Sequence, residues 1–505
     1  MTMRACLLLM PILVGSPLYA ADPVEGLDEY VTAAMVQWQV PGASIAIIKD
    51  GEVVLMRGYG VTRNDDGHAV TPETIFPLAS ITKNFTATAL GVLVEEGKVG
   101  WDDLVVKHLP GIRFSDDYRT QHTTICDLLC HRTGLERGDM LPRRNDVTNE
   151  EILRRIRYLQ PVHGFREKWE YNNLMYYLAG EVVAKASGRD WEQFLAERLL
   201  QPLDMNSTTT RHPESPSNRT AVPHRLIDGK PIPDEPLVSV SKFSPAGSMH
   251  STAADMAKWL LASLASLDHE RALLKPETRR LMQSIHMSVP AAWDRTGNPY
   301  AARFYGWGFG WRVLDYRGRK LCYHGGSSGA MFAVMPEERL GVVILTNLHW
   351  TTLSGMLMYD LLDAWLVGSE QAWDRKQWDF WKKADPHPDS VRLKDLQAAE
   401  ALRRTSTTPS LPLRDFAGTY ACELYGDLAV EVKDGQLSLT YGTNGPAFAT
   451  HWQVDSFYAR RPVYDDPTVD WIVTFDVQDG EPRSLNIQRL GWHEALPTFE
   501  RIKNR

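Results

Sequence analysis

The chain of 505 residues is long enough for two domains and a full hydrophobic core. With 43% hydrophobic and 23% charged residues it has the composition of an ordinary globular protein, which excludes fibrous and disordered classes. The formal net charge of the chain is −8, and the lysines and arginines are scattered rather than clustered. We therefore expect no nucleic-acid partner.

The first twenty residues have the pattern of a secretory signal peptide. Arg4 precedes an apolar run from Ala5 to Val14, and small residues follow around Ala20. A buried N-terminal helix is the alternative, which Pro11 and Pro17 disfavour. Later apolar runs are shorter than the ~18 residues of a membrane span. We therefore expect residues 1–20 to be removed, leaving a periplasmic or secreted chain without a transmembrane anchor.

Four cysteines remain once Cys6 leaves with the signal peptide. Cys126 and Cys130 lie four residues apart, which on a helix is poor geometry for a disulfide. No Cys or His spacing is typical of a zinc site. We expect neither a disulfide framework nor a metal, and no cofactor.

A β-hairpin is predicted first in the chain. The β-rich runs ASIAIIK and EVVLMRGYG flank Asp50-Gly51, the strongest short-range hairpin signal. After a polar loop, apolar residues recur every four positions from Ile81 to Leu93. This period predicts a helix with one buried stripe that begins next to Ser80 and stops near Gly97.

Residues from about 100 to 300 predict a largely helical lobe, because helical stretches alternate there with loops that contain Pro and Gly. The segments GWGFGWRVLDYRGRKLCYHGG and GAMFAVMPEERLGVVILTN then each read as strand, turn, strand. A sheet built from both ends of the domain follows. Together these patterns predict an α+β fold with an antiparallel sheet flanked by helices.

The character of the chain changes near residue 370. Residues 371–412 are charged and helical and end in a Ser/Thr/Pro-rich stretch, which predicts a linker. From residue 413 to 505, short β runs alternate around Asp-Gly turns. We expect a small C-terminal antiparallel barrel or sandwich, after a main domain of residues 21–370.

The stretch PLASITKNF places a serine and a lysine one helical turn apart. A serine hydroxyl is a weak nucleophile that needs a base within hydrogen-bond reach, and Lys83 can reach Ser80 across one turn. The N-terminus of the helix also offers N–H groups to an oxyanion. The same spacing recurs at Ser239 and Lys242, in a loop between prolines, where we attribute it to chance. An N-capping Ser80 with a solvated Lys83 is the alternative interpretation.

Two further motifs favour catalysis. Tyr171 and Asn173 form the Tyr-x-Asn of EYNNLMYYLAG, and His324 precedes Gly325 and Gly326 at the end of a predicted strand. Acyl transfer needs a second proton carrier, for which a phenol near a lysine is suited. It also needs close approach of the substrate, which glycines permit.

The three ordered motifs resemble those of the serine hydrolases of the class C β-lactamase and penicillin-binding protein superfamily. The second and third motifs begin 91 and 244 residues after Ser80. The likeness extends through most of residues 25–370, including WQVPGASIAIIKDGEVV, DLLCHRTGL and PAGSMHSTAADMAKWL. The C-terminal segment resembles the small β domain often appended to members of this group.

The resemblance implies a role for each motif residue. Ser80 would be the nucleophile, Lys83 its general base and Tyr171 the partner in proton transfer. Asn173 would bind the substrate amide, Gly326 would leave room beside the nucleophile, and the N–H groups of Ser80 and Ser327 would form the oxyanion hole. His324 replaces the lysine of the K-T-G motif. A partly cationic histidine would hold a substrate carboxylate less firmly than lysine does.

Ser327 is a rival nucleophile, since residues 325–329 fit G-x-S-x-G. That motif requires a strand followed by a helix. A hairpin is predicted to follow instead, which disfavours the rival.

His131 is interpreted as a structural loop residue rather than a metal ligand.

We therefore expect a serine hydrolase that forms an acyl-enzyme on a small-molecule or short-peptide substrate. A peptidase or amidase ranks level with a carboxylesterase, and a true β-lactamase ranks third. A catalytically idle penicillin- or peptide-binding sensor is the alternative outside enzymes. The sequence does not define an oligomeric state.

Overall fold

The computed structural model describes residues 22–502 with several gaps. The gaps are residues 66, 145, 212–216, 228, 235–243, 265–271, 291–301, 385–387, 443–444, 461–469 and 491–495. The predicted signal peptide and the second Ser-x-x-Lys copy, Ser239 to Lys242, lie outside the described residues.

Helices occur from residue 27 to the start of the C-terminal domain. In order they are α1 Leu27–Trp38, α2 Thr82–Glu95, α3 Val105–His108, α4 Asp117–His122, α5 Ile125–Leu129, α6 Asn149–Arg155, α7 Asn173–Ser187, α8 Trp191–Leu195, α9 Ser244–Gly247, α10 Ala253–Leu264, α11 Pro276–Met282, α12 Leu353–Leu366, α13 Ser369–Ala372, α14 Trp378–Ala384, α15 Pro388–Ala401 and α16 Leu413–Phe416.

Strands fall into a first group at both ends of the main domain and a second group in the C-terminal domain. The first group is β1 Gly42–Lys49, β2 Glu52–Gly60, β3 Phe76–Pro77, β4 His224–Ile227, β5 Lys230–Pro233, β6 His250–Ser251, β7 Met287–Ser288, β8 Tyr305–Trp307, β9 Arg312–Tyr316, β10 Arg319–Gly325, β11 Met331–Met335 and β12 Leu340–Thr346. The second is β13 Gly418–Cys422, β14 Gly426–Lys433, β15 Gln436–Tyr441, β16 Ala447–Gln453, β17 Ser456–Arg460, β18 Asp470–Gln478, β19 Glu481–Arg489 and β20 Phe499–Arg501.

Eight strands of the first group form one antiparallel sheet, in the order β2-β1-β12-β11-β10-β9-β8-β7. The predicted hairpin joins β1 to β2, and Asp50 and Gly51 both have positive φ, as a type I′ turn requires. β1 also pairs with β12, with Ala43 opposite Thr346. The prediction that both ends of the domain build one sheet is therefore confirmed.

The main sheet is covered on both faces. Ile45 and Ile47 of β1 pack with α1 and α12, whereas the alternate residues Ala46 and Ile48 join the core shared with α2 and α10. Successive side chains of a strand point to opposite faces, so burial of both faces requires apolar residues at every position. The run ASIAIIK meets that requirement up to its final lysine except at Ser44, whose buried hydroxyl donates to the carbonyl oxygens of Arg57 and Thr71 over 3.4 and 3.3 Å.

Helix α2 differs from its prediction. The prediction of a single buried stripe is wrong, because every residue from Thr82 to Leu93 is buried. The helix lies between the sheet and the helical lobe, in contact with α7, α9 and α11. Its polar side chains are paired inside the core. Thr86, for example, donates to the Pro245 carbonyl oxygen over 2.7 Å.

The second group of strands forms a closed antiparallel barrel from β13 to β20, which confirms the barrel alternative of the prediction. Residues 371–412, predicted as a linker, are helical and packed at both ends. Trp378 of α14 donates its indole N–H to the Tyr30 hydroxyl of α1 over 2.8 Å. Arg392 of α15 pairs with Asp470 at the start of β18.

Within the described segments, no helix combines the length and apolar character needed to cross a membrane.

Candidate active site

Ser80 lies in a short 3-10 turn, Ala79–Ile81, that leads directly into α2. Ala79 has a φ of +46°, in the left-handed region that costs a non-glycine residue on the order of 1 kcal/mol. The preceding Leu78 donates its N–H to the Met249 carbonyl oxygen over 2.8 Å. The turn is thus anchored to the residue that precedes β6, and Ser80 is left half-buried at the helix start.

The amine of Lys83 has three oxygen neighbours. Nζ lies 2.7 Å from Asn173 Oδ1, 2.7 Å from the Ala246 carbonyl oxygen and 3.2 Å from Ser80 Oγ. The first two oxygens are acceptors, so in a neutral amine they take its two hydrogens. The remaining lone pair then faces Ser80, in position to accept the proton of its hydroxyl.

The surroundings of Lys83 favour the neutral amine. The side chain is fully buried, and burial lowers its pKa well below the ordinary value. The negative charge of Asp139 acts in the opposite direction, and Arg137 again lowers the pKa. Desolvation is the largest of the three effects, so the free base is the expected resting state.

Tyr171 contacts the other side of Ser80. Its hydroxyl donates to Ser80 Oγ over 2.8 Å, and burial raises its pKa to about 12. The Lys83 amine lies 4.8 Å from the centre of the Tyr171 ring, and the Arg137 guanidinium 5.0 Å. The phenol therefore remains protonated at neutral pH and is close to both the hydroxyl and the amine.

The Tyr-x-Asn spacing follows from the start of α7. Asn172 is the N-cap, with an extended backbone and a side chain that accepts the Met175 N–H over 3.3 Å. Alternate residues of an extended segment point to the same side. Tyr171 and Asn173 consequently both face Ser80 and Lys83, while Asn172 fixes the helix start.

The amide of Asn173 is engaged at both ends. Oδ1 accepts from Lys83, and Nδ2 donates to Asp139 Oδ1 over 2.9 Å. A substrate amide could therefore use only the second hydrogen of Nδ2. Asp139 itself is 3% exposed and accepts from Arg137 Nε over 2.8 Å. Asp139 and Arg137 were not predicted from the sequence, because they lie in a loop without a recognisable spacing.

His324 is more buried than expected. It is 1% exposed, its Nδ1 lies 2.9 Å from the Gly325 carbonyl oxygen, and Nε2 has no hydrogen-bond partner among the described residues. Burial, helped by Arg312 and Lys83, lowers its pKa well below the ordinary value. The expected partly cationic histidine is thus replaced by a neutral one, which donates from Nδ1 and leaves Nε2 as an acceptor.

Gly326 allows the turn between β10 and β11 to approach the turn that carries Ser80. A Cβ on Gly326 would lie 2.2 Å from the Leu78 carbonyl oxygen and 3.2 Å from Ala79 Cβ. The adjacent Ser327 carbonyl oxygen accepts from the Trp350 N–H over 2.8 Å, whereas its own N–H donates to no carbonyl oxygen of the described chain. The Ser327 amide therefore remains available close to the turn that carries Ser80.

The rival nucleophile motif lacks the required context. Residues 326–330 form a tight turn between β10 and β11, with Gly326 N–H donating to the Ala330 carbonyl oxygen over 2.7 Å. No helix follows Ser327, as predicted, so G-x-S-x-G here is a hairpin connection and not a nucleophile elbow.

His131 supports the Tyr171 ring. The two ring centres are 4.4 Å apart, and His131 Nδ1 accepts the Asn172 N–H over 3.1 Å. Burial lowers the pKa of His131 well below its usual value, in keeping with a neutral ring that carries its proton on Nε2. The Trp307 ring centre lies 5.0 Å from that of His131 and 5.5 Å from that of His324. One aromatic cluster therefore connects the residues around Tyr171 with His324.

The described residues hold no group of three His, Cys, Asp or Glu side chains placed to bind a metal. The described cysteines are free thiols, with Sγ of Cys126 and Cys130 3.8 Å apart.

Two family models match the chain. A model described as beta-lactamase covers residues 27–355, and a model described as a domain of unknown function covers residues 402–503. The first match includes the three motifs and spans well over half of the chain. The superfamily resemblance drawn from those motifs is thereby confirmed.

Named relatives agree with the family match. The chain is 28% identical to the unguisins hydrolase ungD of Aspergillus violaceofuscus, over 95% of this chain and 90% of that protein. It is 26% identical to protein flp of Staphylococcus aureus, over 65% of this chain and 64% of that protein. A structure titled as the octameric penicillin-binding protein homologue from Pyrococcus abyssi superposes with a TM-score of 0.59, at 23% identity, over 92% of this chain and 98% of that one. That last likeness shows the fold.

Proposed function

Because the chain belongs to the β-lactamase family, we propose that it is a serine hydrolase in which Ser80 forms an acyl-enzyme with an amide or ester substrate. The observation that carries the proposal is the pair of contacts to Ser80 Oγ, from Lys83 Nζ at 3.2 Å and from the Tyr171 hydroxyl at 2.8 Å. A hydroxyl between a neutral amine and a protonated phenol has both a proton acceptor and a proton donor at hand.

Acylation begins with attack of Ser80 Oγ on the substrate carbonyl carbon. The hydroxyl proton passes to Lys83, and the carbonyl oxygen becomes an oxyanion held by the N–H groups of Ser80 and Ser327. The Tyr171 hydroxyl then protonates the leaving amine or alcohol as its bond to the carbon breaks. Lys83 returns a proton to Tyr171, so both groups end acylation in their starting states.

Deacylation repeats the sequence with water as nucleophile. The Lys83 and Tyr171 pair accepts a proton from the attacking water, and a proton returns to Ser80 Oγ when its ester bond breaks. The net reaction adds one water across an amide or ester bond and needs no cofactor. Lys83 must be neutral at the start of each half, a condition that its desolvation favours.

The neutral His324 bears on the substrate class. A lysine at that position would attract a substrate carboxylate, whereas His324 is buried and its lowered pKa leaves it without a positive charge near neutral pH. We therefore place peptide amides and esters without a carboxylate at this position ahead of β-lactams, which carry one. A relative named as a hydrolase over nearly the full chain length also supports hydrolysis.

Intact-mass analysis with a fluorophosphonate tests the proposal. The wild-type chain should gain one adduct and Ser80→Ala none, while Ser327→Ala, which keeps the proposed nucleophile, should still be labelled. An adduct on Ser80→Ala would overturn the assignment of the nucleophile. An unlabelled wild-type chain would favour the second candidate, an idle binding module that keeps the pocket.

Substrate panels then separate the enzyme classes. Steady-state rates on p-nitrophenyl esters, D-amino-acid amides and nitrocefin distinguish a carboxylesterase, a peptidase or amidase, and a β-lactamase. We expect turnover of the first or second and slow turnover of nitrocefin. Nitrocefin as the best substrate would contradict the role given to His324.

We also propose that the hydrolase acts outside the cytoplasm, on the basis of the signal-peptide pattern of residues 1–20. Fractionation of cells expressing the full chain tests this. Recovery of the processed protein in the periplasm or medium is the expected result, and an unprocessed cytoplasmic chain would contradict it.

A further inference from the structure

Asp139 determines which way the Asn173 amide points. Asn173 Oδ1 faces the Lys83 amine, and Nδ2 faces the Asp139 carboxylate. A flipped amide would place its oxygen against a carboxylate and its N–H groups against an amine that already donates, so both contacts would be lost. The Asp139 carboxylate is itself held by Arg137, with Nη2 2.7 Å from Oδ2.

The turn that carries Asp139 has little freedom on the hydrolase side. Gly138 has a φ of +64°, and a Cβ there would lie 2.5 Å from Leu159 Cδ2 and 3.0 Å from Leu174 Cδ1. The Leu141 N–H closes the turn on the Gly138 carbonyl oxygen over 3.1 Å. Position 138 therefore has no room for a side chain without a shift of Leu159 or Leu174.

The C-terminal barrel holds the same turn from the opposite side. The Tyr441 hydroxyl, at the end of β15, donates to the carbonyl oxygen of Met140, the residue next to Asp139, over 3.2 Å. Arg144 donates to the carbonyl oxygens of Tyr425 and Asp427, each over 3.2 Å. Its guanidinium also lies 5.3 Å from the Tyr441 ring centre.

The charge of Asp139 also reaches Lys83. Its carboxylate favours the protonated amine, which opposes the desolvation that favours the free base. The titratable and charged groups around Lys83 come from three sides: Tyr171 and Tyr176 from the start of α7, His131, Arg137 and Asp139 from the loop after α5, and His324 with Arg312 from the sheet. Asp139 is the carboxylate among these groups. Replacing it with a neutral residue removes a negative charge that raises the pKa of Lys83, so the pKa should fall.

We propose that Asp139 is a positioning residue for the Asn173–Lys83 contact and that the C-terminal barrel is a working part of the active site, because Tyr441 fixes the turn that carries Asp139. This inference rests on the proposed role of Lys83 as the base. The barrel would then contribute to hydrolysis by holding the turn that carries Asp139. A barrel that is attached only as a separate module would have no effect on the reaction.

Asp139→Asn tests the first step, because asparagine keeps an acceptor for Asn173 Nδ2 and removes only the charge. The rate depends on neutral Lys83, so the acid limb of kcat/KM should move to lower pH. Asp139→Ala loses the acceptor as well, and kcat should fall further than in Asp139→Asn. An unmoved acid limb in Asp139→Asn would overturn the charge effect, and a wild-type kcat in Asp139→Ala would overturn the positioning role.

Tyr441→Phe tests the second step, with Tyr420→Phe as the matched control. Tyr420 is an equally buried barrel tyrosine whose hydroxyl donates to the Phe416 carbonyl oxygen over 2.9 Å, inside the C-terminal domain. Loss of one hydrogen bond at Tyr441 should lower kcat/KM by about fivefold. Tyr420→Phe should leave it unchanged. Equal activity of the two variants would overturn the role of the barrel.

A double-mutant cycle distinguishes positioning from general stabilisation. If Tyr441 acts through the acceptor that Asp139 offers Asn173, Tyr441→Phe should have little further effect in the Asp139→Ala background. Multiplicative losses would contradict the coupling. Should Tyr441→Phe fail to fold, Arg144→Gln provides the same cycle, because it removes the neighbouring contacts between the turn and the barrel.

Ser80→Ala separates this inference from the proposed function. If Ser80→Ala is inactive while the Asp139 and Tyr441 variants behave as wild type, the proposed hydrolase stands and this inference fails. If Ser80→Ala remains active, the proposed function fails.

Discussion

The Tyr171 hydroxyl donates to Ser80 Oγ over 2.8 Å, so the phenol and the serine form one hydrogen-bonded unit at the start of α2. Burial keeps this phenol protonated by raising its pKa to about 12. A proton donor that does not ionise at working pH is well suited to a leaving group that must depart as a neutral amine or alcohol.

Tyr171→Phe should keep the ring and lose this proton transfer. We expect kcat to fall on the order of 10²–10⁴-fold with little change in thermal stability. Tyr177→Phe, in the helix α7 that follows Tyr171, is the control and should retain the wild-type rate. Steady-state kinetics and thermal unfolding provide the comparison, and a Tyr171→Phe variant with most of its activity would exclude the phenol from the mechanism.

Lys83→Met should abolish acylation while the protein still folds. Methionine fills a similar volume and removes an amine whose burial is costly, but it leaves the Asn173 Oδ1 and Ala246 carbonyl acceptors without their donor, so the unfolding free energy at neutral pH should change by no more than about 2 kcal/mol. Between its lowered pKa and the ordinary 10.5, Lys83 is neutral when folded and protonated when unfolded. Wild-type stability should therefore rise with pH in that window by at most about 1.4 kcal/mol per unit, a slope that the variant loses.

Urea unfolding at several alkaline pH values and fluorophosphonate labelling check this pair of effects. Lys107→Met, at an exposed lysine paired with Asp103, is the matched control for labelling. Rapid labelling of Lys83→Met would show that the amine is not the base.

Acidification should destabilise the fold through His131 and His324. Burial lowers the pKa of both rings well below 6.5, so the unfolded chain binds protons that the folded chain excludes. Their contribution is present above pH 6.5 and is lost as pH falls below it, by up to about 1.4 kcal/mol per unit for each ring. Urea midpoints at pH 7.5 and 5.5 measure the loss.

His131→Asn should flatten this dependence, because asparagine stays neutral and can still accept the Asn172 N–H. His68→Gln, at an exposed position, should leave the dependence as in the wild type. Identical acid sensitivity of His131→Asn and the wild type would refute the contribution of His131.

Gly326→Ala should separate the turn between β10 and β11 from the turn that carries Ser80. The new Cβ would lie 2.2 Å from the Leu78 carbonyl oxygen, so one of the two segments must move. A shift of this kind in a reacting group is expected to cost about 10²-fold in kcat. Gly111→Ala is the control, since its Cβ meets nothing within 4 Å. Equal kcat/KM in both variants would show that the close approach is not needed.

Spacing along single elements was enough to predict much of the fold and the core of the site. The Asp50-Gly51 turn, the Ser80 position at the start of α2 and the shared side of Tyr171 and Asn173 all depend on local geometry. Regular periods and turn chemistry encode such relations directly.

Relations between distant segments were not predictable in this way. Asp139 meets Asn173 only because two loops converge, and the burial of His324 depends on Trp307 and on the lobe packed across it. The apolar residues at every fourth position predicted helix α2 but not the burial of its polar residues. These are buried because their partners come from distant segments; Trp259, for example, donates to Asn84 over 2.9 Å. Tertiary context decides these features.

The pairing of Ala43 with Thr346 has a consequence for how the chain acquires its structure. β1 is synthesised early, yet one of its two neighbours in the sheet emerges some three hundred residues later. Contacts of such high sequence separation slow folding, because a long loop must close before they form. The hairpin of β1 and β2 should therefore keep one edge of β1 unpaired until β12 has been synthesised. A ribosome-bound fragment that ends before β12 should be the species most prone to aggregate.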